Sequence, residues 1–167
     1  GARRAAWLHK KGDVIERDIY AAVELFFEAF QLGDLESAAS IAYIFEIGEY
    51  GYPQDEKLAV NLYRKAMTYE VFDWAAYRLG MMYLEGRGTP EDEVNAAVYL
   101  TLAAEEEHKI SQRELGKLML SWSDLDTAKE WLTRAADTGD TQAHNSMERS
   151  LQIHEHNHTP PGPPGPA

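Results

Sequence analysis

The chain contains no cysteine. Disulfides, thiolate metal centres and cysteine nucleophiles are therefore excluded, while cytosol, periplasm and exterior all stay open as compartments. No apolar run approaches the ~18 residues that a membrane-spanning helix needs. No apolar stretch follows Arg3 and Arg4 in the manner of a secretory signal. The sequence begins Gly1-Ala2-Arg3 without methionine, as a processed form or a piece of a larger protein would. Positive charge is scarce: 16 Lys and Arg stand against 28 Asp and Glu, a formal net charge of -12. Such a surface repels phosphate backbones, which disfavours nucleic acid as a partner, and it attracts basic partners. Catalytic signatures are missing too. There is no Gly-x-Ser-x-Gly elbow, Walker loop or dinucleotide fingerprint. No cofactor is implied.

What is present is repetition, and repeats decide the fold before anything else does. One pattern recurs four times: Asp, then Ala four positions later, two bulky apolar residues, and a second Ala. Its copies are Asp18, Ala22, Leu25, Phe26, Ala29; Asp55, Ala59, Leu62, Tyr63, Ala66; Asp92, Ala96, Tyr99, Leu100, Ala103; and Asp124, Ala128, Trp131, Leu132, Ala135. The apolar positions follow i, i+3, i+4, i+7, which lays one stripe along a helix. Small alanines on that stripe admit a close neighbour. Each Asp stands where its carboxylate accepts from the free amides of the first turn, as an N-cap. These segments are the B helices.

A second motif precedes them. It reads Ile41-Ala42 with Phe45, Leu79-Gly80 with Tyr83, and Leu115-Gly116 with Met119, with weaker copies at Ala5-Ala6 with His9 and Met147-Glu148 with Leu151. These are the A helices. Glycine costs ~1 kcal/mol against alanine inside a helix, so Gly80 and Gly116 point to a partner helix lying against that backbone. Gly48, Gly51, Gly86 and Gly88 follow A helices as termination signals. The third A-to-B turn departs from the others: Met119 and Asp124 are too close for a glycine loop, and the turn must be tighter, with Trp122 inside it.

The segment from Ala75 to Gly88 resembles the A helix and loop of the Sel-one-like repeats, relatives of the tetratricopeptide repeat, and Asp92 to Ala104 resembles their B helix. The resemblance covers residues 5 to 153. It implies an all-α fold, a right-handed α-solenoid of antiparallel helix-turn-helix repeats, and an adaptor or scaffold role in a protein complex, often bacterial. The units fall at about 1–34, 35–72, 73–108 and 109–140, with a capping helix over 141–153. Residues 154–167 form a His-rich and then Pro/Gly-rich tail, read as disordered solvated chain. His154, His156 and His158 are weak transition-metal ligands in the alternative reading.

Where a partner would sit follows from the central A helix. At 100° per residue, Ala75, Ala76, Leu79, Gly80 and Tyr83 form its core face. The opposite face carries Trp74, Tyr77, Met81 and Leu84, with Glu85 at its end, where a surface helix ordinarily turns polar residues outward. In tetratricopeptide-like stacks this second face lines the concave groove. The preceding A helix adds Tyr43, Glu46 and Ile47, along with Glu36; the following one adds Arg113, Lys117 and Leu120. The expected groove is apolar at its centre, acidic on its N-terminal side and basic on its C-terminal side. Packing competes with this reading, since Trp74 can instead fold back onto the preceding B helix. The function expected is that of a non-enzymatic protein-interaction scaffold. An inhibitor or immunity-type protein clamping one cognate enzyme is the alternative, and an enzyme or small-ligand binder comes third.

Overall fold

The computed structural model describes residues 14–158, all of them helix, turn or loop. The chain divides into two compact units at Glu106–Glu107. The first holds α1 (Val14–Gln31), α2 (Leu35–Ile47), α3 (Glu56–Ala66), α4 (Asp73–Glu85) and α5 (Glu93–Glu105); the second holds α6 (Lys109–Ser121), α7 (Leu125–Asp137) and α8 (Thr141–His158). Helices α2 and α3, α4 and α5, and α6 and α7 pair as hairpins; α1 packs on α2 and α8 on α7.

The alanine stripe is the core. Ala59, Tyr63 and Ala66 of α3, Ala96, Leu100 and Ala103 of α5, and Ala128, Leu132 and Ala135 of α7 are all buried. The two helix glycines lie where their hairpin partner comes closest. A Cβ on Gly80 would fall 2.9 Å from Cγ of Leu100, and one on Gly116 would fall 2.6 Å from Cγ of Leu132. Backbone approach of this kind accounts for both residues against their helix propensity.

The capping aspartates behave alike. Asp55, Asp92 and Asp124 accept from the amides of Leu58, Asn95 and Thr127. Asp34 and Asp140 do the same for α2 and α8. His108 takes the aspartate's place before α6, its Nδ1 accepting from Ser111 N–H. Asp18 is the exception: α1 begins at Val14, so Asp18 lies in the second turn, where the amides it was expected to cap are already inside the helix. The stripe on α1 also departs from the other copies, with Leu25 63% exposed. The A-helix copy expected before it, Ala5-Ala6 with His9, lies outside the described residues.

One hydrogen bond recurs in the three described A-to-B turns. The capping aspartate's own N–H donates to the carbonyl of the bulky A-motif residue: Asp55 to Phe45 at 2.8 Å, Asp92 to Tyr83 at 2.9 Å, Asp124 to Met119 at 2.9 Å. The first two turns are long and leave α2 and α4 through left-handed Gly48 and Gly86. The third is short and places Ser123 at φ 61, the conformation that Gly33 and Gly139 adopt in the B-to-A turns. At the other end of the chain, α8 runs on to His158. His154 to His158 were expected in a disordered tail; here their backbone continues the helix, for no glycine or proline interrupts the chain before Pro160. Their side chains, and residues 159–167, lie outside the described residues.

Candidate functional site

In the first unit an apolar cavity of about 400 Å³ opens beside α1 and α2. Helix α1 contributes Ile19, Ala22, Val23 and Phe26; α2 contributes Ser40, Tyr43 and Ile44; Tyr50 and Trp74 complete the wall. The loop residues are held by ring contacts. Tyr50 meets Tyr20 edge-on, with centroids 6.2 Å apart. Tyr52 stacks on Phe27 at 5.2 Å and meets Phe45 edge-on at 5.5 Å. Burial pushes the Tyr50 phenol above its ordinary pKa, and the neighbouring Glu49 carboxylate adds to the rise.

Trp74 packs as the competing reading expected and also borders the cavity. Its ring stands edge-on to Tyr63 of α3, with centroids 6.3 Å apart and planes at 79°, so it does fold onto the preceding B helix. It also lines the cavity, and it is half-buried rather than sealed. Tyr43, Ile47, Tyr77, Met81 and Leu84 are half-buried too. The cavity brings Tyr43 and Trp74 together; Ile47, Tyr77, Met81 and Leu84 are not among its lining residues.

Glu46 requires a correction. Expected on an acidic rim, its side chain is 1% exposed. Tyr63 Oη donates to its Oε2 at 2.8 Å, Arg78 Nε donates to Oε2 at 2.9 Å, and Arg87 Nη1 approaches Oε1 at 3.0 Å. Buried charge persists when it is paired and hydrogen-bonded, and all three partners come from other segments of the first unit. Burial pushes the Tyr63 phenol well above its ordinary pKa, with Glu46 reinforcing it. Burial opposes the charge of Arg78, yet its hydrogen bond and attraction to Glu46 raise its pKa. Arg78 also lies over the Tyr43 ring, 5.0 Å from the centroid, so the buried pair is tied to the cavity wall. Glu85, expected near the groove, is exposed and pairs with Arg87 at 2.6 Å.

The basic side expected from α6 is neutralised within the second unit. Arg113 pairs with Asp140 at 2.9 Å and with Glu114 at 3.1 Å. Lys117 pairs with Glu114 at 3.2 Å. Arg113 thus ties the end of α7 and the start of α8 to α6, and offers no uncommitted charge. Leu120 lines a separate cavity of about 220 Å³ with Leu125, Leu132, Met147 and Leu151.

The contribution of α1 and Tyr50 to the cavity escaped the sequence reading. A signal was present: Ile19 and Val23 join Ala22 and Phe26 of the repeat motif in a second i, i+3, i+4, i+7 set. Among the described residues no group of three His, Asp or Glu side chains stands close enough to hold a metal ion. No helix among them is long and apolar enough to cross a membrane.

Alanine-striped hairpins of this length, capped by aspartate and repeated along the chain, define a helical-repeat protein of the tetratricopeptide-related class. Within that class, four matches to the Sel1 repeat cover residues 1–34, 35–66, 75–108 and 111–140, and the chain belongs to the Sel1 repeat family. It is similar to the uncharacterized protein NMB1327 of Neisseria meningitidis serogroup B, at 33% identity over 98 residues; that stretch is 59% of this chain and 21% of the relative, so the chain spans about a fifth of that protein's length. It is also similar in fold to the crystal structure of a Sel1 repeat protein from Oxalobacter formigenes, with a TM-score of 0.66 and 24% identity over 80% of this chain and 58% of the other. Sel1 repeat proteins are typically protein–protein interaction modules and generally non-catalytic scaffolds.

Proposed function

We propose that this chain is an adaptor or scaffold module that holds a polypeptide partner, with the cavity beside α1 and α2 as its centre and Tyr43 and Trp74 as its anchors. The observation that carries the reading is that cavity: about 400 Å³, apolar on several sides, open, and bordered by a half-buried tryptophan and two tyrosines. Exposed apolar hollows on monomers mark interaction sites, and aromatic side chains at their centre supply most of the binding energy. Ile47, Tyr77, Met81, Leu84 and Glu85 extend the contact along α2 and α4. Arg113, Lys117 and Leu120 belong to a flank of the second unit, where any contact with the partner is secondary.

The test is affinity capture from cells of the source organism, comparing the wild-type chain with a Tyr43→Ala/Trp74→Ala variant of equal helicity by quantitative mass spectrometry. A partner polypeptide retained by the wild type should fall at least ~10-fold with the variant, as central anchors do. Equal retention of every captured protein by the two forms would remove the cavity from the binding surface.

A further inference from the structure

We infer that the occupant of the first unit's cavity is a cationic amphipathic helix about two turns long, which seats its apolar face between α1 and α2 and turns lysine or arginine toward the rim. This rests on the docking reading above and narrows it to one kind of partner.

Three observations carry it. The first is length. On α1 the wall runs from Ile19 to Phe26, eight residues and seven helical steps, or about 10 Å of helix at 1.5 Å per residue. Anchors one and two turns apart on a ligand helix match ridges spaced in that way.

The second is polarity. The walls are almost wholly apolar, and the one aliphatic hydroxyl, Ser40 Oγ, already donates to the Glu36 carbonyl. An extended peptide would bring unpaired backbone N–H and C=O groups against such walls; a helix brings its own already satisfied.

The third is charge. The first unit, residues 1–106, holds 19 Asp and Glu against 10 Lys and Arg, a balance of -9 out of the chain's -12. Glu36 lies on α2 one turn before Ser40, and Glu49 stands beside Tyr50; both are exposed. Of the cations, Arg78 is placed against a lining residue, Tyr43, and its guanidinium is committed to Glu46. A field of this sign gathers cationic ligands and discriminates against anionic ones. The rings of Tyr43 and Trp74 offer further seats for a cation, and Arg78 already occupies one such position over Tyr43.

The experiment uses the full chain and two labelled synthetic helices of fourteen residues, one built from Leu and Lys and the other from Leu and Glu on the same pattern. Fluorescence anisotropy should show the Leu/Lys helix binding at least ~10-fold more tightly than the Leu/Glu helix, and weakening as salt rises. Trp74→Ala should weaken the Leu/Lys helix at least ~10-fold. Phe26→Ala, on an exposed part of the wall, should do so as well, and it guards against a folding defect in the first variant. Glu36→Gln with Glu49→Gln should weaken it less and flatten its salt dependence.

Equal binding of the two helices would overturn the charge assignment. Leu/Lys binding indifferent to both Trp74→Ala and Phe26→Ala would mark general adsorption to an acidic surface and overturn the inference. If neither helix binds while capture from cells still depends on Tyr43 and Trp74, the inference fails and the docking reading stands.

Discussion

Glu46 and Arg78, 32 positions apart in sequence, meet at 2.9 Å through both of the guanidinium's contacting nitrogens. The carboxylate is sealed while Arg78 and Arg87 each keep 32% of their side-chain exposure. Removing the acid leaves two cations with partial access to water. The expected cost of Glu46→Ala is therefore about 2–3 kcal/mol, below the ~3–5 kcal/mol of a wholly buried pair. Glu46→Gln keeps an acceptor for Tyr63 and should lose less. Urea denaturation measures both; a loss under ~0.5 kcal/mol for the alanine variant would reduce the cluster to ordinary surface pairing.

Gly80 and Gly116 invite replacement by alanine, which gains ~1 kcal/mol of helix propensity. Against this stands the crowding of Leu100 and Leu132, and overpacking costs typically ~1–3 kcal/mol. The approach is closer at Gly116, where Cγ and Cδ2 of Leu132 would lie 2.6 and 2.8 Å from the new carbon, than at Gly80, where the corresponding Leu100 distances are 2.9 and 3.1 Å. Gly116→Ala should accordingly lose about 1–2 kcal/mol net, and Gly80→Ala less. The reverse order in thermal or urea unfolding would contradict the hairpin geometry.

Ser123 holds φ 61 in a turn whose two counterparts carry glycine. A residue with a Cβ pays roughly 1 kcal/mol in that region, so Ser123→Gly should stabilise the second unit by up to about 1 kcal/mol, less the entropy that glycine returns to the unfolded chain. An unchanged or lowered melting temperature would count against the strain.

Acid should weaken the fold through identifiable carboxylates. Hydrogen bonds from Ser37 hold Asp34 below its usual pKa, the Asn95 amide does so for Asp92, and Arg134 followed by Gln112 does so for Glu107. A carboxylate whose pKa is lower in the folded state contributes fully above its unfolded value, near ~4, and that contribution disappears as pH falls through the folded value. Melting temperature should therefore decline as pH drops below about 4. Asp92→Asn retains an acceptor for the Asn95 amide without a titrating charge, and the acid limb of its curve should be shallower than that of the wild type. Parallel limbs would show that Asp92 takes no part.

Most of the architecture was legible because it is written locally. A capping aspartate, an alanine stripe and a glycine beneath a neighbouring leucine each depend on residues within one hairpin, and spacing alone reveals them. Glu46 was misplaced for the opposite reason: its burial depends on Arg78 and Arg87, far along the chain, and nothing beside it in sequence announces them. The same holds for Arg113, whose partner Asp140 lies 27 positions on. The cavity was half legible. Trp74 and Tyr43 stand out as aromatic residues on a face that should be polar, whereas on α1 the repeat motif masks the set that Ile19 and Val23 form with Ala22 and Phe26.

In the three hairpins the same pair of backbone atoms joins, whether five, nine or ten positions separate them. The closing bond is thus independent of the length of chain between those atoms. Residues 49–53 and 89–91, which lie outside the helices and outside the Glu46–Arg87 contact, are where sequence can be lengthened, trimmed or exchanged with both flanking helices kept. Tyr50, on the first of these segments, forms part of the cavity wall. Selectivity for a guest can drift there by insertion and deletion, leaving the helical frame untouched.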